Sequence, residues 1–166
     1  MLNALAMKIG HILNIPYTNH MMPVDLYLNG EYRGNYSFTE KVGLSNNSID
    51  VDESKGAYIL EFDIYLFDEL NEKSKEIYKD SSAIFHLPFC VKDPDLDELP
   101  TDKANSLFFQ YKEDLKALEN AVAQMDSVEI HKYMDVTMFA KTFFVYDLSY
   151  NNELNWPKSI YFYKLD

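Results

Sequence analysis

The stretch Val24–Val42, VDLYLNGEYRGNYSFTEKV, decides how the rest of the chain is read. Side chains of a strand alternate between its two faces. Val24, Leu26 and Leu28 alternate with Asp25 and Tyr27. The pair Asn29-Gly30 then suits a tight turn whose two central residues need positive φ. The reading is a β-hairpin over 23–42, with its second strand running to about Val42. On that second strand Tyr36 and Phe38 share a face, and by parity the next residue on it is Glu40. Two readings stay open there. The strand aims the carboxylate inward, to orient a lysine or a metal-bound phosphate. Alternatively, pairing stops at Phe38 and Glu40 is solvated beside Lys41.

Working outward, Leu2, Leu5, Ala6, Ile9, Ile12 and Leu13 fall at helical spacing, so a helix is expected over 1–14, ended by Pro16. It starts at residue 1 with no residue before it to cap it. GAYILEFD supplies a further strand over 57–63, expected in one central antiparallel sheet with the hairpin. Residues 68–80 are charged and mixed and read as a surface excursion. Pro100-Thr101 introduces a helix over 103–126. Ala104, Leu107, Phe108, Tyr111, Leu115, Leu118, Val122 and Met125 form its stripe, with Thr101 or Asp102 as cap. A second helix over 135–150 turns Val136, Phe139, Ala140 and Phe143 inward. The last element, SIYFYK, is a strand with no turn after it and so no visible partner. Strands in the first half and helices in the second give an α+β fold, an antiparallel sheet with packed helices.

Composition narrows the function classes. The chain has 166 residues, of which 47% are hydrophobic and 15% aromatic, enough for one folded domain. The mean hydropathy of −0.31 comes with no apolar run long enough to span a bilayer. A net charge of −12 repels phosphate backbones and argues against nucleic acid as partner. Local groups can still bind a small nucleotide. Cys90 is the only cysteine, which excludes an internal disulfide and a thiolate metal site and reads as a buried structural residue.

Three acidic groupings bear on chemistry. Glu61 and Asp63 share a face of the 57–63 strand and could hold a cation or bond a ligand; the ordinary reading, an exposed polar face, is the one expected. Asp93, Asp95 and Asp97 alternate like the start of a calcium loop. Glu98 and Ala104 stand where such a loop needs Gly and Glu, so a solvated acidic turn is expected. Asn151 and Glu153 directly follow the 135–150 helix. Either they form a site placed by that packed element or they merely end the helix. His11, His20, His86 and His131 have no ligand spacing, and no metalloprotease, phosphate-loop or serine-nucleophile motif occurs.

Taken together, PVDLYLNGEYRGNYSFTEKV, GAYILEFD, LPFCVKDPD and FFVYDLSYNNELNWPKSIYFYK stand in the order seen in the CotH family, the spore coat protein H-like proteins regarded as atypical protein kinases. The resemblance covers nearly the whole chain, and the hairpin and NELNWPKS blocks are its specific parts. It implies a fold resembling part of a diverged protein kinase. It implies transfer of a phosphoryl group from ATP to a protein hydroxyl with Mg2+ or Mn2+, chemistry that rests on clamped phosphates, held metal and an oriented nucleophile. By the same resemblance the hairpin with Glu40 and Lys41 lies over the nucleotide, Glu61 is a nucleotide-side residue, and Asn151 and Glu153 match the family's Asn-x-Asp catalytic pattern. Glu153 stands where many members have Asp. Members also carry a further N-terminal segment and a C-terminal WDFD-like motif that supplies metal-binding acid; neither is in these residues. One CotH-like domain truncated at both ends is therefore expected, 1–66 being its nucleotide-side part and 100–166 its helical part. The completing metal ligand would lie outside the chain, and no metal ligand is assigned within it. The resemblance further implies an extracytoplasmic or surface location and an unidentified protein substrate, while the unpaired edge of the final strand, Ile160 to Tyr163, gives self-association through that strand as an expectation. A surface binding or assembly module of the same fold without catalysis is the competing expectation.

Overall fold

The computed structural model describes residues 2–51 and 53–165. In chain order these form α1 (Leu2–Ile12), β1 (Met21–Leu28), β2 (Glu31–Thr39), β3 (Tyr58–Phe62), β4 (Lys79–Ser81), β5 (Pro88–Asp93), α2 (Thr101–Ala123), α3 (Ser127–Tyr133), α4 (Val136–Leu148) and β6 (Ile160–Lys164). Helices with antiparallel sheets make the fold α+β, as expected. The uncapped helix start expected at residue 1 lies outside the described residues.

The hairpin forms as the Asn-Gly pair demands. Asn29 and Gly30 both take positive φ, 53° and 83°, and Val24 faces Tyr36 across the ladder. The second strand stops at Thr39, short of Val42. Side chains from the preceding turn capture the next residue instead: Asn19 Nδ2 donates to the Glu40 carbonyl at 2.9 Å. The hairpin is also a two-stranded sheet of its own and does not join the strand at 57–63. Both edges of β3 are already taken, by β5 and β6, within a sheet ordered β4-β5-β3-β6.

That order corrects the expectation for the last strand. β6 pairs along the full length of β3, from Tyr58 opposite Lys164 to Phe62 opposite Ile160. The partner lies about a hundred residues upstream, a separation that local periodicity cannot report. One edge of β6 remains the margin of the sheet.

Tyr58, Leu60 and Phe62 on one face of β3 meet Phe89 of β5, Ile160 of β6 and Ala104, Tyr111 and Leu115 of α2. The Tyr58 and Tyr111 rings stack at 4.0 Å. The cap of α2 is Pro100, with no side-chain cap bond, rather than Thr101 or Asp102. Asp102 still places a negative charge in the first turn, where the helix dipole favours it. The expected stripe ends early, because Met125 has left-handed backbone and is 88% exposed. In α4 the expected inward residues Phe139 and Phe143 are exposed, and Val145 is buried. With Phe139, Phe143, Phe144 and Val145 spread around its circumference, the pattern had no single face to select.

Candidate functional site

β3 is buried along its whole length. Its second face, carrying Ile59, Glu61 and Asp63, is as closed as the first: Ile59 is fully buried, Glu61 is 4% exposed and Asp63 1%. This overturns the exposed polar face expected for the two acids. The supposed surface excursion folds back over them. A 3-10 turn, Ile64–Phe67, tucks Leu66 inward, and a second, Glu72–Lys75, lies against the first. From that second turn Lys73 reaches down between the two carboxylates.

The Lys73 ammonium donates to Glu61 Oε1, to Asp63 Oδ2 and to Ser159 Oγ, the last at 2.7 Å. An ammonium has three hydrogens, so every one is used. Asp63 also accepts from Tyr65 N at 2.9 Å and from Ser159 N at 3.0 Å. Burial works to raise the Asp63 pKa, but the Lys73 and backbone donors outweigh it and hold the carboxyl below its ordinary value. Burial likewise works to lower that of Lys73, and its bonds to Asp63 and Glu61 reverse this, so the ammonium is held above the usual lysine range. Glu61 has further partners in Lys92 Nζ, 3.5 Å from Oε2, and the Tyr161 hydroxyl, 3.4 Å from Oε1.

The cluster floors a cavity of about 500 Å³ whose walls include Lys75, Lys92, Glu72, Glu76 and Cys90. Lys75 is exposed and makes no ion pair among the described residues. Cys90 is buried as expected; burial, and after it the charge of Glu61, pushes its thiol up to about 12. It is therefore no nucleophile at neutral pH.

The cluster is also where two separated sequence blocks meet. Ser159, at the end of NELNWPKS, bonds Asp63 at the end of GAYILEFD, and Ile64 N donates to the Pro157 carbonyl at 2.9 Å. Lys158 lies over the Tyr65 ring at 4.9 Å. Hydrogen bonding and charge from Tyr65, and then the charges of Glu153 and Asp63, hold its ammonium above the usual range.

Asn151 and Glu153 follow α4 in an exposed turn. Asn151 N bonds the Tyr146 carbonyl at 2.9 Å, Asn151 Oδ1 accepts from Glu153 N at 2.9 Å, and Asn151 Nδ2 lies 3.2 Å from Glu153 Oε2. The pair thus holds the Glu153 carboxylate through both backbone and side chain. Among the described residues Glu40 meets neither lysine nor arginine. His20 donates to it from its backbone at 2.8 Å, and His20 Nδ1 lies 2.8 Å from Oε1. Its own backbone N–H, and then His20, lower its pKa. Tyr36 and Phe38, the residues that suggested an inward face, are 50% and 66% exposed. Lys41 is exposed. The structure thus gathers Glu61 with Asp63, pairs Asn151 with Glu153, and sets Glu40 in a separate polar cavity. Asp93 accepts from Leu44 N at 2.7 Å, and Asp95 caps the turn that follows it, as an acidic turn rather than an ion loop requires.

Sequence reasoning missed Lys73. The available signal was the pair Glu61 and Asp63 on a strand otherwise apolar on both faces, which demands a buried counter-charge. Among the described residues no three of His, Cys, Asp and Glu come together to hold a metal ion. No described helix is long and apolar enough to cross a membrane.

A family model described as CotH kinase protein matches residues 1–166. No curated protein and no solved structure matches the chain.

Proposed function

The chain belongs to the CotH family of kinase proteins, and from that premise we propose that it forms the central part of an atypical protein kinase that moves the terminal phosphoryl group of ATP to a protein hydroxyl. One observation supports this above the others. The two blocks GAYILEFD and NELNWPKS converge on the Lys73 cluster, beside a cavity lined by Lys73, Lys75 and Lys92 together with Glu61, Glu72 and Glu76. About 500 Å³ falls within the range of nucleotide-sized pockets.

Within this reading the lysines divide the work. Lys73 has no hydrogen left for a ligand, so it braces the floor. Lys92 and Lys75 are the cations with capacity for phosphate oxygens. Glu61 serves the nucleotide indirectly, by holding Lys73 and Lys92 in place, since a bare carboxylate would repel phosphate. Glu40 and Lys41 lie on the hairpin side of the nucleotide. Glu153 takes the proton of the accepting hydroxyl as its oxygen bonds to the terminal phosphorus and the bond to the ADP oxygen breaks. Asn151 positions that carboxylate. A divalent ion bound to ATP neutralises charge on the phosphate oxygens. The described residues assemble no three-ligand set for it, and no step is routed through a protein-held metal.

Titration of ATP with magnesium against the chain, followed calorimetrically, tests the reading. Lys92→Ala combined with Lys75→Ala is expected to weaken binding about tenfold or more while leaving the melting transition in place. Undiminished ATP binding in that variant would remove the phosphate assignment. Absence of any nucleotide binding, together with binding to a surface polymer, would favour the non-catalytic module.

A further inference from the structure

Two of the three cavity lysines, Lys73 and Lys75, stand on the segment 64–76, which belongs to no sheet. It consists of the two 3-10 turns Ile64–Phe67 and Glu72–Lys75, joined by residues 68–71. Turns this short close few hydrogen bonds of their own and leave carbonyls over at their C-terminal ends. In the first, Asp68 N takes the Tyr65 carbonyl at 3.1 Å, and the next carbonyl, that of Leu66, is left for another donor. In the second, Glu76 N takes the Lys73 carbonyl at 3.3 Å, and the next, that of Ser74, is left in the same way.

Both leftover carbonyls go to one side chain. Lys79 Nζ donates to the Leu66 carbonyl at 2.8 Å and to the Ser74 carbonyl, and it lies 5.5 Å from the centre of the Phe67 ring. The Lys79 backbone is itself fixed, because β4 pairs it with Cys90 of β5. A single ammonium thus ties the two turns to each other and to the sheet. The two carbonyls it chooses bear directly on the cavity. Leu66 is fully buried and lines it, and Ser74 lies between Lys73 and Lys75. Lys79 does not line the cavity. Its influence there passes through the backbone it holds.

The bonds of Lys73 to Glu61 and Asp63 do not do this work. They fix an ammonium at the end of a flexible four-carbon stem, which can follow a moving backbone and says nothing of where Lys75 points. We infer that Lys79 is a positioning residue of the cavity: by holding the carbonyls of Leu66 and Ser74 it locks segment 64–76 to the sheet, which seats Lys73 on its carboxylates and turns Lys75 to the cavity. The consequence for phosphate binding rests on the nucleotide reading above; the seating of Lys73 does not.

The test uses the intact chain labelled with ¹⁵N-lysine. The Lys73 ammonium gives all three hydrogens to partners, so they exchange slowly and its Nζ should give an NMR signal, assigned by its loss in Lys73→Arg. Lys79→Met keeps the length of the stem and removes the donors. In that variant the Lys73 signal should vanish, and amide exchange at residues 66–76 should rise about tenfold or more as the segment opens locally, while the amide signals of β3, β5 and α2 stay in place. Lys79→Gln, too short to bond both carbonyls, carries the same expectation and decides the matter if Lys79→Met does not fold. The dissociation constant for ATP with magnesium should rise about fivefold in these variants, the loss that follows when preorganised contacts are loosened. A Lys73 signal that survives both variants overturns the inference, and so does loss of that signal with ATP binding unchanged. A parent chain that binds no ATP removes the nucleotide reading and leaves the Lys73 signal to decide whether Lys79 positions the segment.

Discussion

Lys73 sets the local terms for this fold. Two carboxylates with 5% and 2% of their side-chain surface exposed share its ammonium. A buried pair adds little over an apolar replacement, but removing one partner strands the other charge. Lys73→Met should therefore cost about 3 kcal/mol, the order found when a buried pair is broken, read as a shift in the urea midpoint. Lys92→Ala, whose partner lies at 3.5 Å on an open cavity wall, should move that midpoint far less. The pH dependence carries a definite sign. The Asp63 carboxyl titrates below its ordinary value in the fold, so its contribution is fully present above the unfolded value and is lost as pH falls through the folded one. Lys73 titrates above the ordinary lysine value, so its contribution is present below that and is lost only as pH rises past the folded value. Stability should be flat between about pH 5 and 9 as far as this cluster is concerned, and fall on the acid side. In Asp63→Asn that acid limb should flatten; an unchanged limb would mean that other carboxylates carry it.

At the scale of elements, a buried carboxylate on α2 does for one loop what Lys73 does for β3. Glu119 is 4% exposed and accepts from the Ser82 hydroxyl, from Ile84 N at 2.9 Å and from Phe85 N at 3.1 Å. Ser82 Oγ in turn accepts from Leu87 N at 3.0 Å. The loop between β4 and β5 is thereby fastened to the helix across about 35 residues of chain. Glu119→Ala leaves two N–H groups without partners, at about 1–3 kcal/mol each. It should raise amide exchange at Ile84 and Phe85 by about tenfold or more while α2 itself stays protected. What could be read from sequence, and what could not, follows the same division between local and remote. The hairpin was legible because Asn29-Gly30 encodes its own turn, and α2 because its stripe lies within one element. The burial of Glu61 was not, since it depends on the turn Glu72–Lys75, more than ten residues onward, folding back. Nor was the pairing of β3 with β6, since a strand's alternation records that it has a face, not who lies beside it. At Glu40 the ladder has ended one residue earlier, and contacts from Asn19 and His20, which parity does not report, hold it beside a polar cavity.

At the scale of the whole molecule, the question is whether these residues suffice for turnover. Phosphoryl transfer asks little covalent chemistry of a protein and much charge neutralisation. The chain carries a net charge of −12, and ATP is itself an anion, so the neutralisation has to be local. On the proposed reading Lys75 and Lys92 would supply some of it, beside Glu72 and Glu76 in the same lining, while Lys73 is committed to Glu61, Asp63 and Ser159. No described trio of ligands stands ready for a divalent ion. Binding of nucleotide and transfer of phosphate should therefore separate. Residues 1–166 should bind ATP with magnesium yet label a protein acceptor from radiolabelled ATP only weakly, with magnesium or manganese. A polypeptide that adds the family's acidic WDFD-like motif should label it robustly, and Glu153→Gln in that longer form should lower the rate about a hundredfold or more, as loss of a positioned proton acceptor does, with little change in the ATP concentration at half-maximal rate. Robust labelling by residues 1–166 would show that the cavity beside Lys73 meets the charge requirement without further acids. Full labelling by the Glu153→Gln variant would move the proton acceptor elsewhere, and with it the role of Asn151, whose bonds to Glu153 would then do no more than end α4.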